Sequence, residues 1–557
     1  FQKKEARKKR AQEQPEHTFA SPEAAYAFYA AASGTRLRLL VSTLLCLGSV
    51  LLLVLSTPLI TGAFSDHAAV FSAAMLGLLL LQAVCSYDVC LSGVIALLRF
   101  RFDQYSMLFL ALCAVVADAF FAVAEGRTPF CTVASILLLL ALWGRDLLYD
   151  ARRRSLRAIS NMDEPVAAIR EEKAWHGYDC IFRAPGDAEQ FAVQLEMPDA
   201  GSRIMRVWAP VMTAVTLALS VLTSLRTGEH FLWAWSAMLL ASFPAGILIA
   251  YAKPFSALAR RLYRAGAAIA GWQGARILSG EAGLIVEDAD LFPPQNVTQG
   301  GMKLYGSRPA PMVIGYANAV VQTAGSGLVP LFEQMMHDQN GRRYTVDTFR
   351  RYEGGGLGAT IRGDVVLMGS IAFMKLMRVR VPEGTRLKQA VYLSVNGELT
   401  AVFALNYAPA ESVRAGLSAV LRAGSLVPVL ATRDFMITPQ FLKLRYKIPP
   451  EHIEFPIVEE RARLSSQEIP RTGPQGALMA RSSFASFAGS VVSARTLRGA
   501  AIIAMIVALA GSVLGTALMF FLTFLGSSFS ASCWNLFVYT VLWLIPGLLT
   551  ALLAGRA

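Results

Sequence analysis

Apolar runs of about twenty residues, almost free of charge, recur along this chain, and few sequence features constrain a fold harder. At about 1.5 Å of rise per helical residue, each is long enough to cross a bilayer core of about 30 Å. Inside lipid the backbone must satisfy its own polar groups, so such runs are helices. They fall at 39–62, 69–98, 105–124, 130–149, 207–225, 231–252, 499–525 and 531–554, which gives about eight spans. The second is long enough to tilt or to extend beyond the bilayer. A soluble chain of 557 residues would carry more charge than 16% and less apolar content than 54%. The mean hydropathy of +0.46 agrees. The fold class is a polytopic α-helical membrane protein.

The formal charge of +13 does not point to nucleic acid, because lysines and arginines crowd beside the ends of the apolar runs. Lys3, Lys4, Arg7, Lys8, Lys9 and Arg10 read as a solvated tail. That tail, Arg99/Arg101, Arg152–Arg154 with Arg157, Arg260/Arg261/Arg264 and Arg495/Arg498 share one side if every run crosses. The opposite loops carry only Arg127 and Arg226 as basic residues. Both termini are therefore expected in the cytoplasm of a multi-pass protein of the cell (plasma or inner) membrane, with the lipid bilayer as its evident partner. Seven cysteines, none in a Cys-x-x-Cys pair, imply neither a disulfide framework nor a metal module. His67, His176, His230, His337 and His452 are scattered singly, and no metal cluster is expected. No cleavable signal peptide is legible, and Phe1 in place of Met suggests that the chain extends further at its start.

The runs divide the chain into a basic tail (1–38), four spans (39–150), a short segment (151–206), two spans (207–252), a domain-sized insert (253–498) and two last spans (499–557). Within the insert, "AGLIVEDADLF" reads as a buried strand ending in acids, and "DVVLMGS" and "LVPVLATRD" as further strands. "AVYLSVNGELTAVFAL" is a hairpin turning at Asn396-Gly397. "APAESVRAGLSAVLRAG" is an amphipathic helix, with Val413, Leu417, Val420 and Leu421 on one face and Gly424 past its end. The succession predicts a doubly wound parallel α/β sheet with its crevice at the strands' C-terminal ends, where Asp288 and Thr432–Asp434 fall.

This layout resembles that of heavy-metal (copper/zinc) P-type ATPases, and the sequence from about 230 to 440 resembles them locally. Phe243-Pro244-Ala245 stands where that family has a Cys-Pro-Cys or similar proline-centred site. "GWQGARILSGEAGLIVEDADLF" resembles the run into the phosphorylated Asp-Lys-Thr-Gly-Thr. "GGGLGATIRGDVVLMGSIAFM" resembles the nucleotide-domain stretch with its Gly-x-Gly, here Gly356 and Gly358. Thr432-Arg433-Asp434 stands at the family's Thr-Gly-Asp, and Val329-Pro330 at its adenine-stacking His-Pro. The resemblance implies a haloacid-dehalogenase-like (Rossmannoid) domain, a small nucleotide-domain-like insert, and an actuator-like role for 151–206. It further implies Asp288, Asp290, Thr432 and Asp434 as catalytic positions, and ATP and Mg²⁺ as cofactors if activity is retained.

The departures are as informative. Phosphoryl transfer needs an aspartate nucleophile, a nearby lysine and acidic Mg²⁺ ligands. Ala289-Asp290-Leu291-Phe292 replaces Lys-Thr-Gly-Thr, and Arg471 to Phe487, where the Mg²⁺ acid is due, holds neither Asp nor Glu. Pro456-Ile457-Val458-Glu459 has an acid at the expected lysine, with Arg461 and Arg463 nearby. The segment 151–206 is short and lacks Thr-Gly-Glu, whose one occurrence, Thr227–Glu229, lies on the opposite side. Phe243 and Ala245 offer no thiolate. Asp88 and Asp118 are intramembrane acids and so candidates for a pathway, lined with Cys85, Cys90 and Cys113, or for local ion pairs. The expectation is a pseudo-ATPase acting as scaffold, sensor or regulator. The alternatives are a divergent cation transporter phosphorylated at Asp288 and a membrane-tethered phosphatase using Asp288 and Asp290.

Overall fold

The computed structural model describes residues 15–32, 36–56, 67–382, 389–466, 468–526 and 530–556. Among the described residues, eight helical runs are long and apolar enough to cross a membrane: Arg36–Leu55, Ala68–Cys85, Gln104–Glu125, Cys131–Ser160, Ala188–Thr227, Phe231–Arg264, Phe484–Phe524 and Cys533–Thr550. Lys3–Arg10 and the end of the first expected span, 57–62, lie outside the described residues.

Three spans depart from their expected form. The second breaks at Ser86 into Ala68–Cys85 and Tyr87–Leu98, without proline or glycine at the bend. There Arg38 donates to the Cys85 carbonyl at 2.9 and 2.8 Å and pairs with Asp88, so a guanidinium serves the helix end. The sixth breaks after Ser242, because Pro244 cannot donate and holds Phe243 extended. The seventh begins at Phe484 instead of 499. Its apolar stripe of Phe484, Phe487, Ala488, Val491 and Ala494 is buried in the α/β core, which ties the membrane part to the domain.

The α/β part holds two six-stranded sheets. The first comprises β1 (Val166–Trp175), β2 (Tyr178–Pro185), β3 (Ala267–Ile269), β4 (Ala282–Val286), β11 (Leu426–Leu430) and β12 (Gln475–Met479), in the order β11-β4-β2-β1-β12-β3. Only β11–β4 and β2–β4 pair in parallel. The expected all-parallel sheet is corrected to a mixed one. The segment 151–206, expected as actuator-like, supplies two of its strands. The β1–β2 hairpin enters the middle of the sheet, with Val166 opposite Met479 on one side and Cys180 opposite Gly283 on the other. Ala167, Ala168 and Ile169 of β1 and all of β12 are buried, which explains why this pairing wins.

The second sheet comprises β5 (Val297–Leu304), β6 (Thr348–Tyr352), β7 (Gly356–Ile361), β8 (Asp364–Gly369), β9 (Ala390–Val395) and β10 (Glu398–Tyr407). Its order is β5-β10-β9-β8-β7-β6, and every pairing is antiparallel. "DVVLMGS" and the Asn396-Gly397 hairpin belong here and not to the first sheet. Positive φ values of 54° and 84° at Asn396 and Gly397 suit the tight hairpin turn that Asn-Gly favours. The helices Ala310–Ala324 and Val329–Asp338 lie against this sheet, and the turn between them reaches back to the first. The amphipathic helix Glu411–Arg422 forms as its pattern predicts, with Val413, Leu417 and Val420 buried and Gly424 at φ +67°.

Candidate functional site

β4 delivers Asp288 to the C-terminal edge of the first sheet, and the parallel neighbour β11 delivers Thr432, Arg433 and Asp434 beside it. Backbone N–H groups surround the Asp288 carboxylate. Gly327 donates to one oxygen at 2.8 Å, and Arg433 and Asp434 donate to the other at 3.0 and 3.3 Å. Gly327 comes from the turn between the two helices of the second sheet. It has to be glycine, because a Cβ there would stand 2.7 Å from that of Asp288. The neighbouring Gly325 abuts Arg433 in the same way. The turn thus closes over the carboxylate from the side of the second sheet.

Asp434 converges on Asp288, but its oxygens are also engaged, by the Tyr407 hydroxyl at 2.6 Å and the Met436 N–H at 2.8 Å. Burial and the facing Asp434 push Asp288 up to about 7, while the three N–H groups pull it down. Burial raises Asp434 to about 6 against the opposing Tyr407 hydroxyl bond. Below these two acids, Phe292 is buried in a ring cluster with Tyr407, Phe441 and Tyr446, at centroid distances of 5.2, 5.7 and 5.4 Å. Aromatic bulk fills the ground next to this strand end.

Asp290 does not join this group. It caps its own turn through the Glu287 N–H at 2.8 Å and takes both arms of Arg183 from β2, one at 2.6 Å. Burial raises it to about 6, with Arg183 drawing it down. The geometry is that of a structural ion pair and not of a free general acid. Arg183 also reaches Ser482, just past β12, in the stretch that lacks acids. Mg²⁺ would need oxygens free to ligate, and this edge offers carboxylates already committed to N–H, O–H or guanidinium donors. The residues present do not fit that ion.

The other candidate positions separate. Gly356 lines a cleft between the two sheets, whereas Gly358 is buried beside Tyr352 and Leu367. Ring packing explains both, since a Cβ at Gly356 would meet Phe373 at 2.1 Å and one at Gly358 would meet Tyr352 at 2.9 Å. Val329 and Pro330 form the first turn of the helix Val329–Asp338, a favourable place for proline, and do not line that cleft. In the membrane part, Asp88 pairs with Arg38 and lies 3.6 Å from Arg145, and Asp118 pairs with Arg127. Cys85 contributes its carbonyl to Arg38 and not its thiol. At the break Phe243-Pro244-Ala245, the freed Ser242 carbonyl accepts from the Ser512 hydroxyl of the seventh span. Gly228 of the stray Thr-Gly-Glu caps a helix at φ +73°.

Several residues of consequence escape sequence reading. Arg183, Gly327 and Tyr407 act across separations of 107, 39 and 27 residues. The Gly325-Ser326-Gly327 triplet was the one available signal, as glycines mark close backbone approach. The supposed tail also has structure: residues 15–32 carry the helix Pro22–Ala32, with Tyr29 buried and donating to Glu196 at 2.7 Å. Glu16, His17 and Glu196 lie within 4.8 Å of one another among the described residues, but Arg152 pairs with both carboxylates and fills the place of a cation.

No protein-family model and no curated protein matches the chain. Among solved structures it is similar to a zinc-transporting PIB-type ATPase in the E2.Pi state, at 13% identity and a TM-score of 0.47, over 93% of this chain and 99% of that one. A second structure of a zinc-transporting PIB-type ATPase, in another state, is similar at 14% identity and a TM-score of 0.44, with the same coverage. The N-domain of a copper-transporting P-type ATPase aligns with 20% of this chain and 99% of its own, at 17% identity and a TM-score of 0.17. At such identities and scores, the likeness is one of layout and carries no chemistry across to this chain.

Proposed function

We propose that this chain is a membrane-embedded pseudo-ATPase that works as a scaffold, sensor or regulator, with the α/β part in the cytoplasm. One observation carries the reading: the three N–H groups around Asp288 bind its own carboxylate, and the Gly325–Leu328 turn covers it. A nucleophile needs an open line of attack and donors free for the arriving phosphoryl oxygens. The Arg183–Asp290 pair supports the same conclusion, because it holds the hairpin β1–β2 inside the sheet. An actuator-like element would have to move against this edge instead. The basic residues along the runs support the orientation. The test is Mg²⁺-dependent ATP hydrolysis by the purified full chain, beside Asp288→Asn. Equal background rates are expected, and turnover abolished by the substitution would overturn the reading.

The convergence of Asp434 on Asp288 favours one second reading, a divergent transporter phosphorylated at Asp288. It predicts an acid-stable phosphoenzyme from labelled ATP under some ion condition, lost in Asp288→Asn.

A further inference from the structure

The segment before the first span is held more firmly than a solvated tail requires. Ser21-Pro22-Glu23 opens the helix Pro22–Ala32 with a hydroxyl cap, a proline in the first turn and an acid beside it. Ala25 and Tyr29 of this helix are 1% and 0% exposed. The Tyr29 hydroxyl lies 2.7 Å from each carboxylate oxygen of Glu196, which ends the helix Ala188–Leu195. Arg152, on the helix Cys131–Ser160 of the fourth span, donates to Tyr29 at 3.2 Å and to Glu16 at 2.8 Å. The Glu16 N–H in turn donates to the Glu196 carbonyl at 2.9 Å. Rings close the joint, with Tyr149 at 6.3 and 5.2 Å from Phe28 and Tyr29, and Phe19 at 5.4 Å from Phe28.

Undocking would strip Arg152 of Glu16 and Glu196 of Tyr29, and these two charges are 3% and 2% exposed. Buried charges that lose a partner are costly, so the segment stays down and fixes where the preceding chain starts. That place is close to the membrane surface. Arg152 lies three residues past the fourth apolar run (130–149), and Arg206 directly precedes the fifth (207–225). Arg36, Arg99, Arg101 and Arg206, all exposed, flank the ends of the apolar runs on this same side. Six residues of chain separate Arg10 from Glu16, a reach of at most about 20 Å. Residues 1–14 carry Lys3, Lys4, Arg7, Lys8, Lys9 and Arg10 against only Glu5 and Glu13. A basic run tethered beside a bilayer matches the negative potential of anionic headgroups.

We propose that residues 15–32 are a strap that seats the basic run Lys3–Arg10 against anionic lipid, with Arg36, Arg99, Arg101 and Arg206 at the level of the headgroups. Four of the six basic residues in the run are lysines, hydrated point charges that suit a diffuse charged surface better than a shaped pocket. The short tether favours lipid over an acidic protein, which would have to enter between the strap and the bilayer. Binding and docking are linked, because lipid that holds the run also holds the strap in place. The inference goes beyond the pseudo-ATPase reading and stands whether or not Asp288 takes phosphate.

The test uses the full chain in nanodiscs of phosphatidylcholine, alone or mixed with phosphatidylglycerol. Two readouts are taken: the rate of tryptic cleavage within Lys3–Arg10, and amide exchange of the helix Pro22–Ala32. Anionic nanodiscs should slow cleavage about tenfold or more and slow the exchange as well, and high salt should remove both effects. Lys8→Gln with Lys9→Gln and Arg10→Gln should weaken the protection of the remaining sites and leave exchange in neutral nanodiscs unchanged. Tyr29→Phe and Glu16→Gln should speed the exchange and reduce the tenfold protection several-fold. The Glu16 side chain is 34% exposed at the rim, so that variant keeps the test valid if Tyr29→Phe fails to fold. The proposal falls if cleavage is equally fast, or equally slow, in both lipids. It also falls if protection requires an added acidic protein, or if neither strap variant moves it.

Discussion

The membrane part and the cleft between the sheets treat charge in opposite ways. Within the spans, Asp88 and Asp118 meet arginines, and the carbonyl freed at Pro244 meets Ser512. Each of these groups, which could have served a permeating ion, has a protein partner, as the low dielectric of lipid demands. In the cleft, Arg351, Arg461 and Thr432 keep donors open, with the exposed Glu353 3.8 Å from Arg461 and the charge of Asp288 also acting on it. The Asp288 edge lies between these extremes, because its acids are partnered and yet raised by burial and by each other. The contrast teaches that one chain can pair the charges within its spans and leave donors open in its α/β part.

The sharpest way to break this contrast is to open the sealed edge. Arg183→Met leaves Asp290 buried without its cation, which costs about 3–5 kcal/mol when a buried pair loses one partner. A loss of that size in urea unfolding of the α/β part is expected, and a change below about 1 kcal/mol would show that the hairpin is not locked there. Next, pH separates the edge from the spans. Asp288, Asp290 and Asp434 have folded values raised from 3.8 to about 7, 6 and 6. At these three groups the folded state binds protons more tightly than the unfolded chain, so their contribution to stability is fully present at low pH and is lost as pH rises through that window. Thermal unfolding of the α/β part should follow this slope, and Asp434→Asn should flatten it.

Two smaller effects sharpen the membrane side. A Cβ at Gly144 would stand 2.1 Å from the Leu248 carbonyl, so Gly144→Ala should cost about 1–3 kcal/mol by overpacking two spans at the helix break. Detergent-resistance of the folded chain would report it. Ser512→Ala removes the hydroxyl from the Ser242 carbonyl, and bonds of that kind inside membranes average only about 0.6 kcal/mol. A small loss in the same assay is expected, and a loss as large as that of Gly144→Ala would mean that the freed carbonyl matters more than the packing.

Much of the architecture was legible in local pattern. Length and apolarity mark the spans, and Asn396-Gly397 marks its hairpin, because lipid and turn geometry act on neighbouring residues. Asp288 and Asp434 were legible as strand-end acids. What escaped is long-range. The pairing of Val166 with Met479 and of Arg183 with Asp290 depends on segments far apart in the chain. The bend at Ser86 has no breaker residue, and the donor to its freed Cys85 carbonyl, Arg38, comes from another helix. Arg461 was legible only as a cation near a missing lysine; its open Nε is a property of packing.

Asp288, sheltered by the three N–H groups and the Gly325–Leu328 turn, is expected to take no phosphate. Incubation of the purified chain with γ-labelled ATP and Mg²⁺, followed by acid quench, tests it directly. No label above that of Asp288→Asn is the predicted result, and an acid-stable label present in the native chain and absent from Asp288→Asn would contradict it.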